Sequence, residues 1–219
     1  MADTAQSTLT DIRLTLAPAL AAAAAFDGWS EAAVQAAAAE TGIDPEVAHY
    51  AFVDGPMAMI SAWIAHVDLA MAGALPAGAL AAMPVRERVR SLIVARLDAQ
   101  RGYEEALRRA QSIMALPGNA AQSLRLGWQT ADAIWRLAGD RATDYNHYTK
   151  RVTLTAVYAA TLSVFIGDDT AGKADTLAFL DRRIAGIMRF EKAKARLTKP
   201  QFAHFSPVRL LGRLRYPAN

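Results

Sequence analysis

The side chains able to do chemistry in this chain of 219 residues are scattered rather than gathered. Its four histidines, His49, His66, His147 and His204, fall in separate segments. None has the H-E-x-x-H spacing that puts two imidazoles on one helix face for zinc. The Glu-x-x-His pair of a di-iron bundle is missing, as are the G-x-S-x-G turn of a serine hydrolase and a phosphate-cradling glycine loop. The chain has no cysteine, which excludes disulfides, zinc–thiolate sites and thiol nucleophiles. The adjacent acids Glu104-Glu105 and Asp168-Asp169 read as helix-end or loop charge. These residues point away from catalysis and imply no cofactor and no metal.

Three other groups carry more. Met59, Trp63, Trp128, Trp135, Tyr158 and Phe165 are large apolar or aromatic residues on long helical segments. Taken singly, each reads as ordinary core. Taken together, they could line a hydrophobic pocket between helices, a common kind of ligand site. The second group spans residues 144–151, where Asp144, Tyr145, Asn146, His147, Tyr148, Lys150 and Arg151 mix aromatic and charged side chains within two turns. It fits the solvated start of a helix, with Asp144 at the positive end of the dipole. It fits a protein-docking patch equally well, because aromatics and arginine are enriched at binding hot spots. The third group is the basic end: residues 182–219 hold ten cationic side chains and one acid, Glu191. A cationic face beside Phe202, Phe205, Leu210, Leu211 and Leu214 suits an anionic membrane, at about 1 kcal/mol per cation near the surface. Arg209, Leu210, Leu211, Arg213 and Leu214 form its amphipathic core, over residues 207–216.

The elements that must position these groups are all helical. Apolar residues make up 53% of the chain, and the prolines cluster at segment ends. No stretch alternates apolar and polar long enough to read as a strand. The pattern predicts helices over 8–26, 30–42, 44–52, 57–72, 84–100, 103–116, 119–138, 144–166 and 175–197. Residues 76–84 read as a loop punctuated by Pro76, Gly78 and Pro84. Ser30 and Asp44 are natural N-caps, and Gly42 suits a left-handed C-terminal position. In the helix after Asn119, read as its cap, Leu124, Trp128, Ala131, Trp135 and Ala138 form the apolar stripe. Residues 152–167 are uncharged and read as a helix buried on all sides, too short for a transmembrane span of about 20 residues. Residues 14–26 resemble a signal-peptide core but lack its positive start, because Asp3 and Asp11 precede Arg13. The expected location is therefore the cytoplasm, peripherally attached to a membrane surface.

Residues 28–52, GWSEAAVQAAAAETGIDPEVAHYAF, have the helix, glycine turn and short second helix of a DNA reader. Residues 1–80, however, carry one basic side chain, Arg13, against nine acids, a net charge of −8; the chain total of +3 leaves +11 for the rest. DNA affinity rests on cationic contacts to phosphate, so this charge pattern argues against a nucleic-acid partner.

Three small helices containing a helix-turn-helix, followed by a larger helical body, resemble TetR-type regulators. The segments ADAIWRLAGD at 131–140, TDYNHYTKR at 143–151, FLDRRI at 179–184 and RFEKAKA at 189–195 are similar to a narrower group. They resemble the ubiquinone-biosynthesis accessory family known as coenzyme Q biosynthesis protein 9, including its alphaproteobacterial members. The resemblance implies an all-α, TetR-like homodimer that does not bind DNA. It implies a degenerate helix-turn-helix lobe at 1–54, a helical lipid-binding domain at 55–199 and a basic membrane-contact segment at 200–219. It also implies an isoprenoid lipid or polyprenyl quinone intermediate as ligand, and attachment to the inner membrane. The expected partner is a ubiquinone-pathway hydroxylase, docked at Asp144, His147 and Tyr148. Two departures stand out: His147 replaces the family's usual Trp, and Leu162-Ser163 lies in a stretch lacking the family's Glu. A ligand-responsive transcription regulator of the same fold remains the second reading.

Overall fold

Thr8 opens the first helix through a capping box: its backbone N–H donates to Asp11 Oδ2 at 2.9 Å, and its Oγ1 accepts from the Asp11 backbone at 3.2 Å. Helix α1 (Leu9–Asp27) continues through Pro18, which cannot donate to the preceding turn; the buried residues on either side of it hold the helix together. The computed structural model describes residues 8–140 and 145–198. After α1 come α2 (Glu31–Thr41), α3 (Pro45–Ala51), α4 (Pro56–Ala74), α5 (Ala77–Ala82), α6 (Val85–Asp98), α7 (Glu104–Met114), α8 (Ala120–Leu137), α9 (Tyr145–Gly167) and α10 (Ala174–Thr198). The described residues fall into two units that part after Asp181. The first holds α1 to α9 and the start of α10. The second, from Arg182, holds the rest of α10.

The caps expected from the sequence at the helix-turn-helix are present. The Ser30 side chain accepts from Ala33, Gly42 closes α2 at φ 71°, and Asp44 caps α3 with Pro45 in its first turn. Helices α1 and α2 pack through small side chains, with Ala17, Ala21 and Ala24 buried on one and Ala33, Ala37 and Ala38 on the other. Helix α1 also packs on α4 and α7, which ties residues 8–54 to the larger body within a single unit. Both α1 and α4 are 19 residues long and, by length and composition, apolar enough to cross a bilayer. The expectation that 152–167 comes nearest to a span, and is too short for one, is corrected, since α1 and α4 come nearer. Both helices contribute buried faces to the core, including Leu16 and Leu20 from α1 and Ile60, Trp63 and Val67 from α4.

Four local expectations are corrected. Residues 77–82 form α5 rather than loop, because a run of alanines favours helix strongly enough to absorb Gly78. Asn119 precedes α8 without capping it, since its side chain donates to the Ile113 carbonyl at 2.8 Å. The buried face of α8 is Leu126, Thr130, Ala131 and Ile134, whereas Leu124 is 71% exposed. Finally, α9 is not buried all round. It buries Arg151, Leu154, Val157, Thr161 and Phe165 at spacings of three and four, and leaves Val152 and Ala156 exposed.

The seam between α8 and α9 is tight at Gly127. A Cβ built there would stand 2.9 Å from Thr155 Cγ2, and Thr155 Oγ1 donates to the Gly127 carbonyl at 3.2 Å. Gly127→Ala adds about 1 kcal/mol of helix propensity but forces overpacking against a stiff β-branched neighbour, a cost of about 1–3 kcal/mol. The expected net loss is about 1 kcal/mol in urea unfolding, and Thr155→Ser in the same chain should restore it.

Candidate functional site

Helices α4, α6, α7, α8 and α9 surround a cavity of about 350 Å³. Most of its wall is apolar, with Ile60, Ile64, Leu107, Met114, Leu126 and Leu162 among the lining residues. Arg96, Gln100, Thr130 and Tyr158 form a hydrogen-bonded polar cluster in the wall, apart from the polar side chains of Gln111, Ser123 and Thr155. Arg96 is 2% exposed, and three helices answer its charge. Its Nε donates to Asp68 Oδ1 of α4 at 2.7 Å, its Nη2 donates to Thr130 Oγ1 of α8 at 3.3 Å, and its Nη1 donates to the Tyr158 hydroxyl of α9. Thr130 Oγ1 donates in turn to Asp68 Oδ2 at 3.1 Å. Gln100, just beyond the end of α6, donates from Nε2 to the Tyr158 oxygen at 2.8 Å and to the Arg96 carbonyl at 2.9 Å.

Burial opposes the Arg96 charge, but Tyr158 and Asp68 facing it prevail, so its pKa lies above the ordinary guanidinium value. Burial likewise raises the Tyr158 phenol, against the pull of Arg96, so the hydroxyl keeps its proton.

Of the residues expected to line a pocket, Trp63 and Tyr158 do so. The Trp63 ring packs against Tyr103 at 4.6 Å and His66 at 5.7 Å between centroids, and its buried Nε1 has no hydrogen-bond partner among the described residues. Met59 and Phe165 are core residues away from the lining. Trp128 and Trp135 lie half-buried elsewhere on α8. The Trp135 Nε1 donates to the Lys150 carbonyl at 3.1 Å. Sequence reading missed Arg96, Gln100, Thr130 and Asp68. The available signal was register: Arg96 and Gln100 continue the stripe of Val89, Leu92 and Ile93, on the face of α6 that turns inward.

At the start of α9, the two cations of the mixed cluster turn toward α8. Arg151 is 2% exposed; its Nε reaches Asp132 Oδ1 at 2.6 Å and its Nη1 reaches Asp140 Oδ2 at 3.2 Å. Lys150 Nζ pairs with Asp140 Oδ1 at 2.7 Å. What faces outward is aromatic. Tyr148 is 61% exposed, His147 is half-buried, and both rings lie near Trp128, at 5.9 and 6.2 Å between centroids. Asp144 lies outside the described residues, as do Arg209, Leu210, Leu211, Arg213 and Leu214. Among the described residues, no group of three His, Asp or Glu side chains could hold a metal ion.

Residues 120–191, which include α8, α9 and most of α10, match the family model described as COQ9. Over this region the chain is similar to the COQ9 family. The chain is 30% identical over 168 residues to the mitochondrial ubiquinone biosynthesis protein COQ9-A of Xenopus laevis, covering 74% of this chain and 53% of that protein. It is 38% identical over 100 residues to mitochondrial COQ9 of Homo sapiens, covering 46% and 31%. Against mitochondrial coq9 of Schizosaccharomyces pombe the identity is 32% over 135 residues, covering 61% and 53%. The chain thus spans about half, or less, of the length of these relatives. The all-α fold matches that of a TetR transcriptional regulator from Nitrosomonas europaea, with a TM-score of 0.63 at 21% identity, over 79% of this chain and 95% of that one.

Within that fold, α3 occupies the place of a recognition helix. Its exposed side chains are Glu46, Val47, His49 and Tyr50, and His49 Nδ1 lies 2.9 Å from Glu31 Oε1. Hydrogen bonds from Gln35 and then His49 hold the Glu31 carboxyl below its ordinary range, so this surface keeps its negative charge. Two outcomes follow. Duplex DNA at low salt should leave the amide resonances of α3 unmoved, and shifts there would restore a DNA-reading role. Asp68→Ala, which leaves a buried guanidinium without its carboxylate, should lower the unfolding free energy by about 3–5 kcal/mol, read from the urea midpoint.

Proposed function

We propose that this chain is a non-enzymatic accessory protein of ubiquinone biosynthesis. It binds an isoprenoid or quinone intermediate and presents it to a modifying hydroxylase at the membrane. The observation that carries this reading is the cavity between α4 and α6–α9, apolar over most of its wall and holding a hydrogen-bonded polar cluster at Arg96, Gln100, Thr130 and Tyr158. Each buried CH₂ of a prenyl chain contributes about 0.8 kcal/mol, so such a space binds a greasy ligand by burial alone. A volume near 350 Å³ corresponds to roughly a dozen water-sized groups. That suffices for a ring and its first prenyl unit, while the remaining chain would leave past Leu124, which lines the cavity and is 71% exposed.

The relatives carry the pathway: several are named ubiquinone biosynthesis proteins, and the family match covers α8 and α9. The outward aromatic patch of Trp128, His147 and Tyr148 is the proposed docking surface for the hydroxylase, since exposed aromatic side chains supply contact area at little entropic cost. The basic residues 182–219 are the proposed contact with anionic lipid on the cytoplasmic face of the inner membrane. The working unit is proposed to be a homodimer. Organic extraction of the purified protein, followed by mass spectrometry, should recover prenylated quinone species at near-stoichiometric amounts. Recovery of no lipid at all would overturn the reading.

A further inference from the structure

The Tyr158 hydroxyl in the cavity wall has a hydrogen-bonding capacity left over, besides the unpartnered Nε1–H of Trp63. Two N–H donors, Arg96 Nη1 and Gln100 Nε2, converge on the Tyr158 oxygen. A phenol offers lone pairs and a single proton, so donors on its acceptor side leave the proton free to donate elsewhere. No described residue accepts it, and Tyr158 itself lines the cavity. Asp68, the nearest carboxylate in the network, is already engaged by Arg96 and Thr130.

The charge at this place is balanced. Arg96 is the only ionised residue among the described lining residues, and Asp68 neutralises it. An anionic head group would meet no uncompensated cation here and would have to give up its hydration, a cost that balanced charge does not repay. A neutral acceptor meets no such penalty. Depth also fits: Thr130 stands six residues from the exposed Leu124 along α8, about 9 Å at 1.5 Å per residue, so the polar groups lie inward of the mouth.

We propose that the Tyr158 hydroxyl donates a hydrogen bond to a neutral carbonyl or ether oxygen on the ring of the cavity's ligand, seating the ring inward and the prenyl chain outward. Gln100 and Arg96 are positioning residues that aim this donor, and Thr130 and Asp68 hold Arg96. The assignment rests on the lipid-binding reading of the cavity and selects, within greasy ligands, those with an uncharged oxygenated ring. Raised by burial, the phenol remains a donor throughout the physiological range.

The test uses a matched pair of probes, geranyl-1,4-benzoquinone and geranylbenzene, each displacing a fluorescent apolar dye from the delipidated full chain. The expected result is a preference of about tenfold for the quinone, abolished in Tyr158→Phe, with geranylbenzene binding unchanged. Geranylbenzene binding without any preference, or a preference that survives in Tyr158→Phe, overturns the Tyr158 assignment alone. Failure of both compounds to displace the dye overturns the cavity reading together with it. Should Tyr158→Phe not fold, the infrared carbonyl band of the quinone bound to the unaltered protein decides. A band lowered from its position in alkane solvent supports the assignment, and an unmoved band overturns it.

Discussion

A single buried guanidinium organises the middle of this molecule. Arg96 cannot be desolvated without partners, because an unpaired charge in an apolar interior costs several kcal/mol. It draws those partners from three helices besides its own: Asp68 on α4, Thr130 on α8 and Tyr158 on α9. These same helices form the cavity wall. A core built only of leucine and isoleucine could have closed by repacking. Directional hydrogen bonds to a fixed planar group hold the helices in one register, and the space beside them stays open. The cavity is thus a consequence of satisfying a charge as much as of leaving volume unfilled.

A second polar set does comparable work at the other end of α9. Arg151 and Lys150 turn inward to Asp132 and Asp140, fastening the start of α9 to the end of α8, and Gly127 lets the same two helices approach closely beside Thr155. The pairing of these cations with the two aspartates leaves Trp128, His147 and Tyr148 as neighbouring rings beside them. Structural salt bridges and an outward aromatic patch are therefore two results of the same side-chain choices along 128–151.

The architecture shared with a TetR regulator carries no function by itself. The helix-turn-helix keeps its caps, its glycine turn and its buried alanines, all of which stabilise the lobe. What this lobe holds little of is positive charge, which would stabilise a complex with phosphate.

The amino-acid sequence by itself determined the all-helical class, the helix-turn-helix with its caps at Ser30, Gly42 and Asp44, and the segregation of charge, because these depend on local propensity, backbone geometry and counting. It also identified Trp63 and Tyr158, whose size marks them as interior. Tertiary structure alone decided which large residues border empty space and which are packed solid: Met59 and Phe165 look the same as Trp63 in sequence. It decided which groups answer Arg96, since its place on the stripe of Val89, Leu92 and Ile93 turns it inward but names none of its partners on α4, α8 and α9. It decided that the buried face of α8 runs through Leu126 and Thr130 instead of Leu124 and Trp128. Helical periodicity reports that a stripe exists, but which of two adjacent stripes turns inward depends on partners distant in the chain.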